Sequence, residues 1–268
     1  MNTFGFIGTG NMGGALARAV AKSVAPENII LTDACYEKAE ALAAQLNCRS
    51  CDSIAAVAEK CHFIFLGVKP QVMGHMLAQI APELAARKQD FVLVSMAAGV
   101  CIADIRKMAG ADYPVIRIMP NIPASVGEGV ILYDTTENVP QEAVDTWKTA
   151  MSGAGLISAL PEKLIDAGSA LSGCGPAFVS LFIEALADGA VTCGLSRQQA
   201  IEYACQTLIG TAKMLQQTGM HPGALKDAVC SPGGSTIAGV GALEAGAFRG
   251  TVMDAVVSAY ERTCELGK

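Results

Sequence analysis

Three glycines near the start of the chain have the spacing of a dinucleotide-binding loop. The short apolar run Thr3–Gly8 leads into Gly8–Gly13, which reads G-x-G-x-x-G, and a helical pattern follows. In such a loop Gly8 permits the tight turn, Gly10 lets the backbone approach a pyrophosphate, and Gly13 lets the helix pack closely on the strand. The helix start adds free N–H groups and a positive dipole end. The pattern predicts a nicotinamide dinucleotide site, with a glycine-rich turn that binds nothing as the alternative.

An acidic residue stands where such sites contact the adenosine ribose. Asp33 lies twenty residues after Gly13 and directly after the apolar run Ile29–Thr32. A carboxylate at this place accepts hydrogen bonds from the ribose 2′-hydroxyl and repels a 2′-phosphate, which favours NADH over NADPH. Aspartate is also a good helix N-cap. The sequence leaves both interpretations open.

A second glycine-rich loop, Cys230–Thr236, lies between two helical patterns in the second half of the chain. Backbone N–H groups around Gly233, Gly234 and Ser235 can form a nest at a helix N-terminus, which holds a carboxylate without an arginine. The Thr236 hydroxyl can donate a hydrogen bond to a ring nitrogen or accept one from it. A helix end followed by the cap of the next helix is the alternative interpretation.

The second half of the sequence lacks the acid that ketone reduction usually requires. It contains one histidine, His221, and no lysine in a G-x-G-x-x-x-K arrangement, whereas a ketone needs an acid to protonate the developing alkoxide. A cyclic imine can enter already protonated as an iminium. It then needs chiefly proximity and orientation, which are worth roughly 7–11 kcal/mol when the geometry is good. A loop of amides and one threonine therefore favours reduction of a small cyclic imino acid.

These residues must be positioned by the elements around them, and the first part of the sequence alternates between β-rich runs and helical patterns. This alternation, with apolar runs in the strands, predicts a mostly parallel sheet with helices on both faces. The predicted strands are Thr3–Gly8, Ile29–Thr32, Phe63–Val68, Phe91–Ser95, Val115–Met119 and Val130–Tyr133. The predicted helices between them are Met12–Lys22, Glu37–Leu46, Ser53–Glu59, Gln71–Ala81 and Ile102–Met108.

After about residue 160 the pattern becomes entirely helical. The predicted helices are Ala177–Cys193, Arg197–Gln217, Gly223–Cys230, Thr236–Glu244 and Thr251–Leu266. This part is apolar on more than one face, and helices that are hydrophobic all round are buried. We therefore expect residues 1–160 to form an N-terminal Rossmann domain of the α/β class. Residues 161–268 should form an all-helical domain that packs against another subunit.

Composition and charge exclude several other classes of protein. The 268 residues are 51% hydrophobic and 16% charged, with a formal net charge of −6, so no nucleic-acid or membrane-surface partner is expected. Every apolar stretch of 18 residues is interrupted by charges or glycine, which argues against a spanning helix. Ten scattered cysteines indicate a reducing cytoplasm. Cys48 and Cys51 form a C-x-x-C without a second ligand pair, so no metal site is expected.

Seven segments of the chain match one family of reductases in the right order. They are Phe6–Gly13, Gly67–Pro70, Ala97–Val100, Arg117–Asn121, Val126–Gly129, Leu171–Pro176 and His221–Thr236. Over essentially its whole length the sequence resembles pyrroline-5-carboxylate reductase, and its segment Leu225–Thr236 is close to diagnostic. The resemblance implies reduction of L-1-pyrroline-5-carboxylate to L-proline with NADPH or NADH, the last step of proline biosynthesis.

The resemblance also implies which residues form the site. In the family, the loop matching Ser231–Thr236 holds the substrate carboxylate and ring nitrogen, which makes Thr236 the candidate catalytic residue. The candidates for substrate binding are Val229, Ser231, Gly233, Gly234, Ser235 and Thr236. The candidates for cofactor binding are Ile7, Gly8, Gly10, Asn11, Met12, Gly13, Asp33, Val68, Lys69, Pro70, Ala97, Ala98, Gly99 and Asn121. Lys69 is interpreted as a loop lysine that contacts cofactor or solvent, not as a catalytic group.

In the same family the helical domain interlocks two subunits and dimers often assemble into rings. A homodimer is therefore expected, with a larger ring of dimers as a further expectation. One departure concerns the cofactor, because Asp33 and Ala34 stand where many NADP-preferring members have a small polar residue followed by arginine. The family thus indicates NADPH, whereas the local chemistry indicates NADH.

Two other functions share parts of this pattern. A dehydrogenase of the 3-hydroxy-acid or 6-phosphogluconate type has a similar architecture, but it needs a lysine or another acid in the helical half. A nucleotide-sensing module without catalysis would keep Gly8, Gly10 and Gly13 and would not require the loop Ser231–Thr236.

Overall fold

The computed structural model describes residues 2–266, with side chains to residue 265. The chain divides into two compact units. The first comprises the residues up to Gly173 together with those from Tyr260 onward, and the second is Cys174–Ala259. The predicted boundary near residue 160 precedes the end of the first unit by one helix.

The first unit is built on a sheet of eight strands in the described residues. They are β1 (Phe4–Ile7), β2 (Ile29–Thr32), β3 (Arg49–Ser50), β4 (Phe63–Leu66), β5 (Val92–Ser95), β6 (Val115–Met119), β7 (Gly129–Thr135) and β8 (Gly155–Ala159). Their order is β3-β2-β1-β4-β5-β6-β7-β8. All neighbours pair in parallel except β6 and β7, which are antiparallel. The predicted mostly parallel sheet is confirmed.

Seven α-helices connect or follow these strands. They are α1 (Asn11–Val20), α2 (Tyr36–Leu46), α3 (Ile54–Lys60), α4 (Pro70–Ala86), α5 (Ile102–Ala109), α6 (Gln141–Met151) and α7 (Glu162–Ser172). Helices α6 and α7 and strands β3 and β8 were not predicted from the sequence. The strand β8 is half-exposed, so it lacks the apolar run that marked the central strands. Helix α6 does bury an apolar stripe at helical spacing, Val144, Trp147, Ala150 and Met151, which was overlooked.

Apolar side chains cover both faces of the central strands. In β1, Phe6 joins the core cluster on one face and Ile7 joins the cluster on the other. Phe6 stacks on Phe65 of the neighbouring strand, with ring centroids 4.3 Å apart. A fully buried side chain of this size contributes about 1.5–3 kcal/mol. Because helices pack on both faces of the sheet, the ends of the strands that carry the glycine loops are held in place.

The chain changes direction within the sheet between β1 and β4. From β1 it proceeds outward to β2 and β3, and β4 then returns to pair with β1 on its other side. In open sheets of this kind the crevice at the carboxyl ends of the two central strands binds ligands. The loops after β1 and β4 flank this crevice.

The second unit is helical. It contains α8 (Gly175–Thr192), α9 (Arg197–Thr218), α10 (Pro222–Val229), α11 (Ser235–Ala245) and the first part of α12 (Phe248–Leu266). These five helices agree with the predicted ones to within three residues at each end. Many large apolar side chains of this unit are exposed in the single chain, including Leu181 at 66% and Met253 at 66%.

One helical stretch in the described residues passes a length and composition test for a membrane span. It is Glu162–Thr192, whose apolar 18-residue window is 11% buried. No such stretch was expected from the sequence. Helices that bury an apolar surface against another subunit have the same composition, so the test alone does not place this stretch in a membrane.

Candidate active site

The glycine-rich loop after β1 depends on the absence of side chains. Gly8 has φ = +100°, and a Cβ there would stand 2.5 Å from the Gly67 carbonyl oxygen. A Cβ on Gly13 would overlap the Gly8 carbonyl. The backbones after β1 and β4 therefore touch, and α1 starts against them, as the sequence analysis expected for Gly8 and Gly13.

The start of α1 is open and suited to an anion. Gly10 is the N-cap, no side chain caps the helix, and the first turn contains no acidic residue. A Cβ built on Gly10 meets nothing within 4 Å. The N–H groups of Asn11 and Met12 lack partners within the helix. These features fit the pyrophosphate of a dinucleotide, which needs bare backbone and unpaired donors.

Asp33 lies beside this loop, at the carboxyl end of β2. Its Oδ2 accepts hydrogen bonds from the Thr9 N–H at 2.6 Å and the Thr9 hydroxyl at 3.1 Å, and its Oδ1 accepts one from the Cys35 N–H at 3.0 Å. Burial acts to raise the Asp33 pKa. The hydrogen bonds from Thr9 and Cys35 and the charge of Lys38 outweigh it, so the pKa is lowered. The alternative that Asp33 caps the next helix is wrong, because Cys35 is the N-cap of α2.

Two further loops lie at the same edge of the sheet. After β4, the exposed Lys69 is the N-cap of α4, and Pro70 occupies its first turn. After β5, Ala97 is buried, whereas Ala98 and Gly99 are exposed and Gly99 has φ = +73°. Val68 is half-buried against the core. The predicted cofactor residues of these loops thus follow strands that neighbour the crevice.

Two predicted cofactor residues have buried side chains with other contacts. Ile7 packs in the core, which leaves only its backbone at this edge. Asn121 follows β6, donates from Nδ2 to the Ser172 carbonyl at 2.8 Å and accepts from the Val130 N–H at 2.8 Å. Asn121 therefore holds the end of α7 against β7, a contact that the sequence analysis did not predict.

A buried ionic network at the start of α7 was also missed. Arg117 of β6 is 4% exposed and pairs with Glu162 at 3.0 Å and Asp166 at 3.4 Å. Glu162 Oε1 also accepts the Ile102 N–H at 2.7 Å. The signal was an arginine inside a predicted buried strand, because a buried charge requires partners. Together with Asn121, the network fixes both ends of α7 to the sheet.

The second predicted loop lies in the second unit, between α10 and α11. Gly233 has φ = +68°, and the Gly234 N–H donates to the Ser231 carbonyl at 3.0 Å, which forms a tight turn. Gly234 is the N-cap of α11, without a side-chain cap. The N–H groups of Ser235 and Thr236 therefore have no partner inside the helix. Most of the loop and the neighbouring Val229 are exposed in the single chain, whereas Cys230 and Gly234 are half-buried.

The cysteines provide no metal site in the described part of the chain. All ten are free, and no group of three histidine, cysteine or acidic side chains that could hold a metal ion occurs in that part. Cys48 and Cys51 are half-buried. Burial raises the pKa of the Cys48 thiol.

A glycine loop at the turning point of a mostly parallel sheet, followed by a helical unit, defines a Rossmann-type nicotinamide-dependent oxidoreductase. Two family models match the chain: "NADP oxidoreductase coenzyme F420-dependent" over residues 3–99, and "pyrroline-5-carboxylate reductase dimerisation" over residues 162–266. The pyrroline-5-carboxylate reductase of Methanosarcina acetivorans is 40% identical and covers 98% of this chain and 97% of its own. The chain belongs to the pyrroline-5-carboxylate reductase family.

Solved structures agree with this assignment. The pyrroline carboxylate reductase of Plasmodium falciparum, crystallised with NADP bound, superimposes with a TM-score of 0.87 at 33% identity, covering 100% of this chain and 98% of its own. The pyrroline-5-carboxylate reductase of Coxiella burnetii superimposes with a TM-score of 0.92 at 29% identity, covering 100% and 99%. The similarity therefore includes both units.

Proposed function

We propose that this chain reduces the C=N bond of L-1-pyrroline-5-carboxylate to give L-proline, with NAD(P)H as the reductant, in the last step of proline biosynthesis. The observation that carries the proposal is the similarity to pyrroline-5-carboxylate reductases over the full length of the chain. The glycine loop of the first unit and the amide loop of the second supply the two binding chemistries that this reaction needs.

The cofactor is held by the carboxyl edge of the sheet in this proposal. The N-terminus of α1 binds the pyrophosphate, Asp33 faces the adenosine ribose, and the loops after β4 and β5 line the remainder of the site. The residues involved are Ile7, Gly8, Gly10, Asn11, Met12, Gly13, Asp33, Val68, Lys69, Pro70, Ala97, Ala98, Gly99 and Asn121. Ile7 acts through its backbone, and Asn121 acts by holding α7. When bound, the nicotinamide dinucleotide supplies the hydride.

The substrate is held by the loop before α11. The N–H groups of Ser235 and Thr236 lie at the helix start, where the dipole favours the substrate carboxylate, while the Gly234 N–H closes the turn by donating to the Ser231 carbonyl. The Thr236 hydroxyl hydrogen-bonds the ring nitrogen and orients the C=N bond. Val229, Ser231 and Gly233 complete the loop and its turn.

No protein acid is required for the chemical step in this proposal. The iminium nitrogen enters with its proton and keeps it as the secondary amine of the product. The loop therefore acts by orientation, which is worth roughly 7–11 kcal/mol when the geometry is good. This account agrees with a loop whose side chains include no ionisable acid among Ser231–Thr236.

The active assembly is proposed to be a homodimer in the cytoplasm, formed by the helical residues from about 161 onward. A dimerisation family model and the exposed apolar surface of the second unit support the dimer. Ten free cysteines support a reducing compartment. A larger ring of dimers remains part of the proposal.

The first experiment is a cofactor-oxidation assay with pyrroline-5-carboxylate, run in parallel with NADPH and with NADH. Turnover with either cofactor, with proline as the product, is the expected result. Absence of turnover with both would contradict the proposed function.

Thr236 is tested by two substitutions. We expect Thr236→Val to lower kcat about 10- to 100-fold, the value of one hydrogen bond to a charged group, while cofactor binding is retained. Thr236→Ser keeps the hydroxyl and should recover most of the activity. If Thr236→Val is as active as the unchanged protein, the Thr236 hydroxyl has no role in the reaction.

A further inference from the structure

The carboxylate of Asp33 is fixed beside the phosphate-binding loop. Thr9, the second residue of the G-x-G-x-x-G loop, donates both its N–H and its hydroxyl to Asp33 Oδ2, at 2.6 and 3.1 Å. The Cys35 N–H holds Oδ1 at 3.0 Å. Three hydrogen-bond donors therefore hold one negative group at the end of β2, next to the strand that carries the loop.

This carboxylate is ionised at neutral pH. Burial alone would raise its pKa, but the hydrogen bonds from Thr9 and Cys35 and the charge of Lys38 lower it overall. A protonated Asp33 that could donate to a phosphate oxygen is thus disfavoured.

No cation directly follows Asp33 at the position that would face a 2′-phosphate. Ala34 is exposed and has no charge, and the next charged side chain along the chain, Glu37, is acidic. The first cation along the chain is Lys38, five residues after Asp33, and its charge helps to lower the Asp33 pKa. Arg18 on α1 donates instead to the Gln45 side chain at 2.9 Å.

We infer that Asp33 makes this protein prefer NADH over NADPH, because its carboxylate accepts the ribose 2′-hydroxyl and repels a 2′-phosphate. The inference deepens the proposed function, since it assumes that the carboxyl edge of the sheet binds a nicotinamide dinucleotide. It concerns only the ratio of the two affinities and not the imine substrate.

The test measures binding without turnover. Dissociation constants of NADH and NADPH are obtained for the intact dimeric protein by titrating nucleotide fluorescence in the absence of substrate. We expect NADH to bind at least about tenfold more tightly at low ionic strength, and the gap to narrow as salt screens the repulsion. Equal affinities, or tighter binding of NADPH, would overturn the inference.

Three variants identify the responsible charge. Asp33→Asn keeps an oxygen that accepts the Thr9 N–H and removes the charge. The ratio of the NADPH dissociation constant to the NADH dissociation constant should therefore fall about tenfold. Ala34→Arg leaves the Thr9 contact untouched and should tighten NADPH binding. Glu27→Gln is the matched control, because it removes an exposed carboxylate at the amino end of β2. An unchanged ratio in Asp33→Asn would overturn the assignment to Asp33, whatever Ala34→Arg does.

Failure of this inference is distinguishable from failure of the proposed function. Turnover of pyrroline-5-carboxylate together with equal nucleotide affinities would contradict only the cofactor preference. Tighter binding of NADH without any turnover would support the preference and contradict the proposed reaction.

Discussion

The two units of this chain bury their apolar side chains very differently. In the first unit, both faces of the central strands are covered, and residues such as Phe6, Phe65 and Ile64 are fully buried. In the second unit, the fully or nearly buried apolar residues are small, namely Ala187, Ala200 and Ala204. Large side chains such as Leu181 are exposed instead. One unit therefore completes its core within one chain, and the other does not.

The difference indicates where the helical unit gains its stability. An exposed apolar surface of this extent marks an interaction site, and the matching family model is a dimerisation model. The long apolar stretch Glu162–Thr192 has the same explanation if a second copy covers it. This contrast between a self-sufficient unit and a unit that needs a partner can be tested by substitution.

The largest expected effect comes from placing a charge on the exposed face of α8. Leu181→Glu should raise the dimer dissociation constant at least about 100-fold, because a charge buried in an apolar interface costs several kcal/mol. Sedimentation velocity across a range of protein concentrations measures the change. Activity should fall with dimer content.

Val126→Glu serves as the control for this substitution. Val126 is also exposed, at 73%, but it belongs to the first unit. The control should sediment like the unchanged protein. A Leu181→Glu variant that remains as dimeric as its control would contradict a role for α8 in the interface.

The sequence was sufficient for the parts of the fold that follow a strong local pattern. Strands buried on both faces read as apolar runs, and the G-x-G-x-x-G spacing predicted the backbone constraints that Gly8 and Gly13 meet. Helix α7 has only two buried residues, Ile165 and Ala170, so its apolar stripe was too weak to recognise.

Contacts between distant parts of the chain could not be predicted. Asn121 was assigned to the cofactor from the family pattern, but its side-chain amide donates a hydrogen bond to the carbonyl of Ser172, which lies 51 residues away. Likewise, the position of Asp33 was evident from the spacing, whereas its hydrogen bond to Thr9 depends on how two loops pack. Only the arginine in a buried strand offered a clue to such a contact.

The second prediction tests how firmly the first unit is held together. Replacing Arg117 with methionine leaves Glu162 and Asp166 without their cation. The free energy of unfolding should fall by about 3 kcal/mol. This is the lower end of the range for a broken buried ion pair, because both acids are partly exposed. The melting temperature should fall by about 6–12 °C. Differential scanning calorimetry measures both quantities.

Arg262→Met is the matched control for Arg117→Met. Arg262 pairs with Glu265 on the surface, where both side chains are more than half exposed. Surface pairs contribute about 0–1 kcal/mol. If the two variants lose equal stability, the network at the start of α7 does not stabilise the first unit.

A smaller effect concerns pH and the amino-terminal edge of the sheet. The Thr3 N–H donates to His62 Nδ1 at 3.2 Å, which requires an unprotonated Nδ1. Burial and the nearby Arg87 charge lower the His62 pKa below its usual 6.5. The unfolded chain then binds more protons, so stability should be complete above about pH 6.5 and decline as the pH falls through the window down to the lowered pKa.

His62→Gln should flatten this decline, by well under about 1 kcal/mol because the ring is partly exposed. Urea unfolding at several pH values between 5 and 8 measures the slope, with the exposed His75→Gln as the control. Parallel slopes for His62→Gln and the unchanged protein would show that His62 does not couple folding to pH.

The last prediction compares the two units through their thiols, with no change in the sequence. Cys61 of the first unit is fully buried, and burial raises its pKa to about 12. Its thiolate fraction near pH 8 should therefore be about a thousandfold below that of an ordinary thiol, in addition to its protection from reagent. Cys35 in the same unit and Cys193 in the second unit are exposed.

Iodoacetamide should modify Cys35 and Cys193 first. It should modify Cys61 only as urea unfolds the first unit, and peptide mass spectrometry follows the modification of each cysteine. Modification of Cys61 at the rate of Cys35 in the native protein would mean that the core of the first unit opens readily, and the contrast between the two units would then be one of degree.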